Sequence, residues 1–313
     1  MKVIHEYQQI SSNCGRGIAL GNFDGVHIGH QKLIQHLLAK SKSKKLESCV
    51  YTFMNHTIPV ISNGNTMKHI TSLHVKKEIF NSFGIDILYL DNFSKELMAL
   101  SPKEFVENIL VKMLNCKEAI VGFDYRFGHK AEGDVFLLKE LGELYGFQVT
   151  VIDAVTIEKE KVSSSNIRKY LVNGDIQKVN RFLGRYFSLY NKVIHGDARG
   201  TKLGYPTANI AIDPLQLLPE PGVYATLIKA NNETYRGATF IGTTPTFESH
   251  TPSIETFIID YEGNLYDQYI DIYFVERIRG QVKFKTAEEL IIQINSDIKE
   301  IKKHLQSKLN VLK

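Results

Sequence analysis

Apolar and polar positions along the chain change rhythm once. Over the first half, short apolar runs alternate with segments whose apolar residues recur every three or four positions. Ile18-Ala19-Leu20, Ser48 to Phe53, Ile85 to Leu90, Ala119-Ile120-Val121 and Val149 to Ile152 read as strands. Between them, Leu33, Ile34, Leu37 and Leu38 mark one helix, and Val75, Ile79, Phe80 and Phe83 mark another that Gly84 closes. Ser101-Pro102-Lys103-Glu104 is a capping box with proline at the first helical position, which predicts a helix through Phe105, Ile109 and Leu110. Leu137, Leu138 and Leu141 predict a helix stopped near Gly146. Strands alternating with helices predict a mostly parallel sheet covered on both faces.

After about Gly184 the helical period disappears. Lys192 to His195, Ala208 to Ile212, Val223 to Lys229, Thr234 to Gly242, Ile254 to Tyr261 and Tyr269 to Ile278 read as strands separated by turn residues such as Asn231-Asn232 and Glu262-Gly263-Asn264. Six short strands in sequence predict a small antiparallel barrel. Leu290, Ile294, Ile298, Ile301 and Leu305 then predict one amphipathic helix. The expected fold class is α/β plus β, with domains at 1–183 and 184–313 and no low-complexity linker between them.

Composition narrows the function classes. The 313 residues are 43% hydrophobic and 23% charged, enough for a sizeable core. Lys and Arg number 38 against 34 Asp and Glu, and a net charge of +4 is too small to argue for nucleic acid or a membrane surface. No stretch approaches the ~20 apolar residues of a membrane span, and Met1 to Gln9 carries no apolar signal core, which predicts a soluble cytoplasmic protein. Cys14, Cys49 and Cys116 are far apart and odd in number, so they are expected to be reduced, buried thiols. The sequence predicts no oligomeric state.

Candidate chemistry begins at Gly21-Asn22-Phe23-Asp24-Gly25-Val26-His27-Ile28-Gly29-His30, between the first of these strands and the first helix. Ligands of open parallel sheets bind beyond the carboxyl ends of strands. A helix start there offers free N–H groups and a positive dipole end to phosphates. Gly21, Gly25 and Gly29 allow close backbone approach, and His27 and His30 can donate to phosphate oxygens as charge develops. A lone histidine here would be a surface residue, and no Cys or carboxylate cluster nearby completes a metal site. The pair flanking a glycine resembles the HxGH motif of the nucleotidyltransferase superfamily, in which both histidines stabilise the phosphates of a nucleoside triphosphate under attack.

Two later segments are expected at the same sheet edge. Gly122-Phe123-Asp124-Tyr125-Arg126-Phe127-Gly128 follows the fourth of these strands. Val162-Ser163-Ser164-Ser165-Asn166-Ile167-Arg168 follows the fifth and offers hydroxyls and a guanidinium fork suited to a polyphosphate. The serine run by itself is equally an N-cap. With the histidine motif, these segments resemble the adenylyltransferase module of bacterial FAD synthetases.

In the second half, His195-Gly196-Asp197-Ala198-Arg199-Gly200 leads to Leu203-Gly204-Tyr205-Pro206-Thr207-Ala208-Asn209, a Gly-rich flap before a strand that carries two oxygen donors. Thr207 and Asn209 are candidate Mg²⁺ and phosphate ligands. Period-2 alternation puts Glu255 on the face of Phe257 and Ile259, where a carboxylate needs a purpose or a partner. A base beside a substrate hydroxyl and a structural ion pair are the two readings of that position. With Pro219-Glu220-Pro221-Gly222-Val223-Tyr224 and Gly242-Thr243-Thr244-Pro245-Thr246-Phe247, the order is similar to that of riboflavin kinase barrels.

The whole chain therefore resembles the prokaryotic bifunctional FAD synthetases. That resemblance implies a Rossmann-like N-terminal nucleotidyltransferase domain and a six-stranded kinase barrel with a terminal helix. It implies phosphorylation of riboflavin by ATP to FMN, then transfer of AMP from ATP to FMN, giving FAD and pyrophosphate, with Mg²⁺ as cofactor. The implied catalytic residues are His27, His30, Arg168 and Glu255, with Glu255 the base that activates the ribityl 5′-hydroxyl. Gly21, Asn22, Phe23, Asp24, Gly25, Gly29, Asp124, Ser164, Ser165, Gly196, Gly204 and Pro206 are implied to bind ATP, and Thr207 and Asn209 the metal.

Some positions depart from the pattern. Asn55 and Thr57 replace the prolines of T-F-x-P-H-P. Asn191 and Asp267 replace glycines, Thr244 replaces an Arg or Asn, and Gln281 replaces the carboxylate of R-x-E. Two alternatives remain: a monofunctional FMN adenylyltransferase with an inactive or regulatory barrel, and a flavin-sensing regulator. A regulator that binds RNA calls for a basic patch interleaved with aromatics, whereas Glu300 and Asp297 interrupt the lysines of the last helix and predict a solvated face.

Overall fold

The computed structural model describes residues 1–5, 14–54, 67–196, 200, 203–246 and 249–309, with backbone alone at 243–246 and 249–251. Two compact units result, one of Met1–His69 and Lys76–Ser164, the other of Ile70–Val75 and Ser165–Lys313.

The first unit is built on a six-stranded sheet in which every pairing is parallel. Its strands are β1 (Lys2–His5), β2 (Arg16–Leu20), β3 (Glu47–Phe53), β4 (Ile87–Asp91), β5 (Cys116–Gly122) and β6 (Gln148–Ile152), in the order β1-β4-β3-β2-β5-β6. The chain moves outward from β2 through β3 to β4, then returns to the other side of β2 with β5. The switch point of the sheet therefore lies between β2 and β5, and their carboxyl ends open onto the crevice where such sheets bind ligands. β2 and β4 are buried at every position, as a strand covered on both faces must be. The edge strand β1 is an addition to the predicted set. It is only four residues long, and its partner β4 lies far along the chain, so no local period marks it.

Helix α1 (Ile28–Lys44) follows β2 and buries Leu33, Ile34 and Leu37. Helix α2 (Leu73–Ser82) precedes β4, and α3 (Val135–Tyr145) ends at Gly146 in the left-handed conformation. Ser101 and Glu104 form the predicted capping box, but the segment Phe105–Met113 is π-helical rather than α-helical. The Leu114 N–H reaches back five residues to the Ile109 carbonyl, and the wider turn buries Phe105, Val106 and Leu110 together.

Beyond Ile70–Val75, the second unit holds α4 (Ser164–Val172), whose first residue belongs to the first unit, and α5 (Ile176–Leu183). Six antiparallel strands follow: β7 (Phe187–Ile194), β8 (Thr207–Ile210), β9 (Gly222–Ala230), β10 (Glu233–Thr246), β11 (Ser249–Ile259) and β12 (Tyr269–Gly280). They close as β8-β11-β10-β9-β12-β7, the expected six-stranded barrel. Closure removes exposed sheet edges. Inside it, Thr226, Thr239 and Thr256 form a fully buried hydroxyl chain with O···O distances of 2.8 and 3.0 Å. Helix α6 (Ala287–His304) packs Ile301 on the opposite faces of these strands, against Val223, Ala225, Leu227 and Val275.

Two expectations need correction. Cys14 is exposed, while Cys49 and Cys116 are buried; Cys14 stands outside the strands that cover the other two. Asp297 is not part of a solvated helix face. It is buried and accepts a forked pair from Arg279, Nε and Nη2 at 2.8–3.0 Å, and a further bond from Gln293 at 2.8 Å. With Gln281 in place of a carboxylate, Arg279 takes its counter-charge from α6.

Candidate active sites

The loop after β2 is tightly constrained. Phe23, Gly25 and Val26 have φ of 46°, 84° and 39°, the left-handed region that suits glycine and strains a β-branched residue. Such conformations cost about 1–3 kcal/mol each and persist only where surroundings over-determine them. Here four carbonyls of the loop are tied. Lys76 Nζ and Thr52 Oγ1 both donate to the Asn22 oxygen at 3.1 Å, Ser164 Oγ to the Asp24 oxygen at 2.8 Å, and Gln31 Nε2 to the Val26 oxygen at 2.9 Å. The Val26 N–H closes the turn on the Phe23 oxygen at 3.3 Å.

The loop delivers the two histidines. His27 is the N-cap of α1, and its Nδ1 accepts the His30 N–H at 3.3 Å. The two rings stack at 3.6 Å and 15°, and the Phe23 ring meets His30 edge-on at 5.1 Å. A Cβ on Gly29 would lie 3.1 Å from the His27 ring, and one on Gly21 would lie 3.2 Å from the Phe23 ring, so both glycines serve close packing. His27 and Asp24 are 7% and 5% exposed. The pair thus stands at the positive end of a 17-residue helix, at the sheet's switch point.

Asp124 follows β5, as expected, and is exposed in an ion pair with Lys161 at 3.0 Å; the Lys161 ammonium also lies 4.3 Å from the Phe123 ring centroid. Lys161 belongs to a hairpin of two-residue strands, Thr156–Ile157 and Glu160–Lys161, too short to show in the apolar pattern. Ser164 opens α4, with Ser165 next and Arg168 one turn along; Ser165 and Arg168 belong to the second unit.

Aromatic residues that the motif reading passed over gather at the carboxyl ends of β3 and β4. Tyr51 stacks on Tyr89 at 5.7 Å and meets Phe53 and Phe105 edge-on, and Phe53 meets Phe93 at 5.0 Å. The Tyr51 hydroxyl donates a short hydrogen bond to Asp91, and burial and the Asp91 charge hold its pKa well above the usual tyrosine value. The sequence carries a signal for it: Tyr51 and Phe53 in β3, and Tyr89 and Phe93 in and just after β4. Asn55 and Thr57 lie outside the described residues.

In the second unit the register of β8 on β11 assembles the other predicted group. Thr207 faces Phe257, and Asn209 faces Glu255. Glu255 is half-buried, and its cross-strand neighbours are the polar Asn209 and the apolar Phe240. The Thr207 hydroxyl donates to its carboxylate at a long 3.4 Å. A Cβ on Gly196 would lie 2.2 Å from the Asn209 amide, and one on Gly200 would lie 3.2 Å from the Thr207 hydroxyl. The backbone at Gly196 therefore runs close against the Asn209 side chain, and that at Gly200 close to Thr207. Gly204 has φ 86°, the Tyr205 N–H returns to the Gly200 oxygen at 2.9 Å, and Pro206 leads into β8. Asp197 to Arg199 and the Thr244 side chain lie outside the described residues.

Two of the departures, Asn191 and Asp267, have local partners. Asn191 donates to the Ala211 oxygen at 2.6 Å. Asp267 takes φ 64° in the place of a glycine, and Lys192, bonded to it at 2.8 Å, lowers its pKa. The neighbouring Tyr266 ring stacks on His195 at 3.9 Å.

Comparison with known proteins gives a family match for each half of the chain. The model of the FAD synthetase family matches residues 9–166, and that of the riboflavin kinase family matches 183–305. A bifunctional riboflavin kinase/FMN adenylyltransferase of Listeria monocytogenes is 36% identical over 95% of this chain and 96% of its own length. The chain belongs to the bifunctional riboflavin kinase/FMN adenylyltransferase family. The member from Bacillus subtilis is 35% identical over 95% of each chain. A solved structure from Streptococcus pneumoniae, described as a macrolide-efflux protein, shares the fold with a TM-score of 0.88 at 28% identity, covering 96% of this chain and 98% of that one. Among the described residues no helix is long and apolar enough to cross a membrane.

Proposed function

We propose that this chain makes FAD in two steps, each drawing on ATP. The riboflavin 5′-hydroxyl attacks the γ-phosphorus of ATP and releases ADP, and an FMN phosphate oxygen then attacks the α-phosphorus of a second ATP and releases pyrophosphate. The observation that carries the second step is the stacked His27–His30 pair at the N-terminus of α1, on a loop held through the carbonyls of Asn22, Phe23, Asp24 and Val26. Preorganised donors aimed at developing phosphate charge are what adenylyl transfer needs. Arg168, Ser164 and Ser165 bind the polyphosphate in this reading, and Asp124 completes the ATP contacts. Phe53 and Phe93, the half-buried members of the aromatic cluster around Tyr51, offer the flavin ring faces on which to stack.

For the first step, the register pairing of Asn209 with Glu255, beside Thr207, supports the reading. Glu255 accepts the ribityl hydroxyl proton. Gly196, Gly204 and Pro206 shape the flap over the phosphates. Thr207 and Asn209 offer a hydroxyl and an amide oxygen, hard donors that fit Mg²⁺ and leave room for phosphate and water ligands. When bound, the cation supplies charge neutralisation at the phosphates. Among the described residues no group of three His, Cys, Asp or Glu competes as a metal site.

The test is product analysis. Purified chain with ATP and Mg²⁺ is given riboflavin or FMN, and flavins are resolved by chromatography. Riboflavin should yield FMN and then FAD, and supplied FMN should yield FAD directly. Glu255→Gln should lower FMN formation by roughly 10²–10⁴ while FAD formation from FMN is retained. FAD from FMN without FMN from riboflavin would establish a monofunctional adenylyltransferase instead.

A further inference from the structure

Lys76 lies on α2, far from either motif, yet its side chain ends on the loop that carries the histidines. Its ammonium donates to the Asn22 carbonyl at 3.1 Å and is 7% exposed. Burial pushes its pKa down, and the charge of Asp24, itself 5% exposed, pushes it back up. Burying an ammonium is costly, and an apolar side chain of similar length is cheaper to bury there. Nor does the Asn22 carbonyl need it for satisfaction, since Thr52 already donates to the same oxygen at 3.1 Å. What Lys76 adds is charge, and a hydrogen bond from a charged donor is stronger than one from a neutral donor. The residue it grips precedes Phe23, Gly25 and Val26, the left-handed positions that turn the chain into the His27 N-cap.

We propose that Lys76 is a positioning residue for adenylyl transfer: its buried ammonium clamps the Asn22 carbonyl and sets the turn that delivers His27 and His30. This rests on the adenylyl-transfer reading above. Lys76 touches neither reacting atom. It acts through the backbone, so its loss misplaces the histidines without removing a ligand contact. A 1 Å displacement near the chemistry is enough to matter, about 10²-fold in rate.

The experiment measures FAD formation from FMN and FMN formation from riboflavin on the same preparations, with melting temperatures. Lys76→Met should lower kcat for FAD formation on the order of 10²-fold, with KM for ATP and riboflavin phosphorylation near wild type. Lys76→Arg keeps the charge and should recover most of kcat. Thr52→Val removes the neutral donor to the same carbonyl and should lower kcat less, again with little change in KM. Wild-type kcat in Lys76→Met overturns the proposal. So do parallel loss of both activities with a lowered melting temperature, and an arginine variant no better than the methionine one. If Lys76→Met does not fold, a wild-type kcat in Thr52→Val together with a raised KM for ATP in Lys76→Arg overturns it. Failure of the wild-type chain to make FAD from FMN would instead overturn the adenylyl-transfer reading itself.

Discussion

Gly196 and Asn209 are packed so closely that a Cβ on the glycine would stand 2.2 Å from the asparagine amide nitrogen. Asn209 lies on β8 opposite Glu255, so a side chain at Gly196 must displace either the backbone there or the carboxylate's neighbour. Gly196→Ala should therefore lower riboflavin phosphorylation about 10²-fold through misplacement alone. FAD formation from supplied FMN should be unchanged, because His27 and His30 stand in the other unit. Steady-state assays of the two reactions check this, and equal loss of both would point to a folding defect instead.

His27 and His30 are expected to act as a pair. Their rings stack, and the His30 N–H is held by the His27 ring nitrogen. Replacing either with Ala should lower kcat for FAD formation by ~10²–10³, the usual effect of losing one preorganised donor. The double variant should fall well short of the product of the two losses, since each ring positions the other. Wild-type turnover in the double variant would remove the assignment.

Arg279 and Asp297 form a forked ion pair, with the Asp297 side chain 6% exposed and that of Arg279 19% exposed. Asp297→Ala leaves a largely buried guanidinium without its carboxylate and should destabilise the barrel by about 3 kcal/mol, seen as a lowered midpoint in denaturant. Changing both residues together, Arg279→Met with Asp297→Leu, should recover most of that loss, because the cost comes from the stranded charge. An unchanged midpoint in Asp297→Ala would mean that water reaches Arg279 readily.

Thiol reactivity should separate the three cysteines. Burial pushes the Cys49 pKa up to about 12 and raises that of Cys116 as well. Both therefore remain neutral thiols at any pH where the protein is handled, and the thiolate is the reactive form. Cys14 is exposed. A chromogenic disulfide reagent at neutral pH should titrate Cys14 alone in the native protein and all three after denaturation. Rapid native reaction at Cys49 or Cys116 would show that β3 or β5 opens locally.

Much of this architecture is written in local order. The period-2 and period-3.6 stretches, the capping box at Ser101 and the glycine after α3 depend on neighbours a few residues away, so the alternating sheet and the later barrel strands are legible in the chain itself. The histidine motif is legible for the same reason: it is one continuous turn between a strand and a helix. What the chain alone does not reveal is set by partners distant in sequence. Strand β1 exists because β4 pairs with it, and Asp297 is buried because Arg279 reaches it from β12. Glu255 has a polar neighbour only because the register places Asn209 opposite. Lys76, in an unremarkable helix, ends on the Asn22 carbonyl across 54 residues of chain. Periodicity reports which face of an element is apolar; only the closed sheet and barrel decide which charges are buried and what they hold.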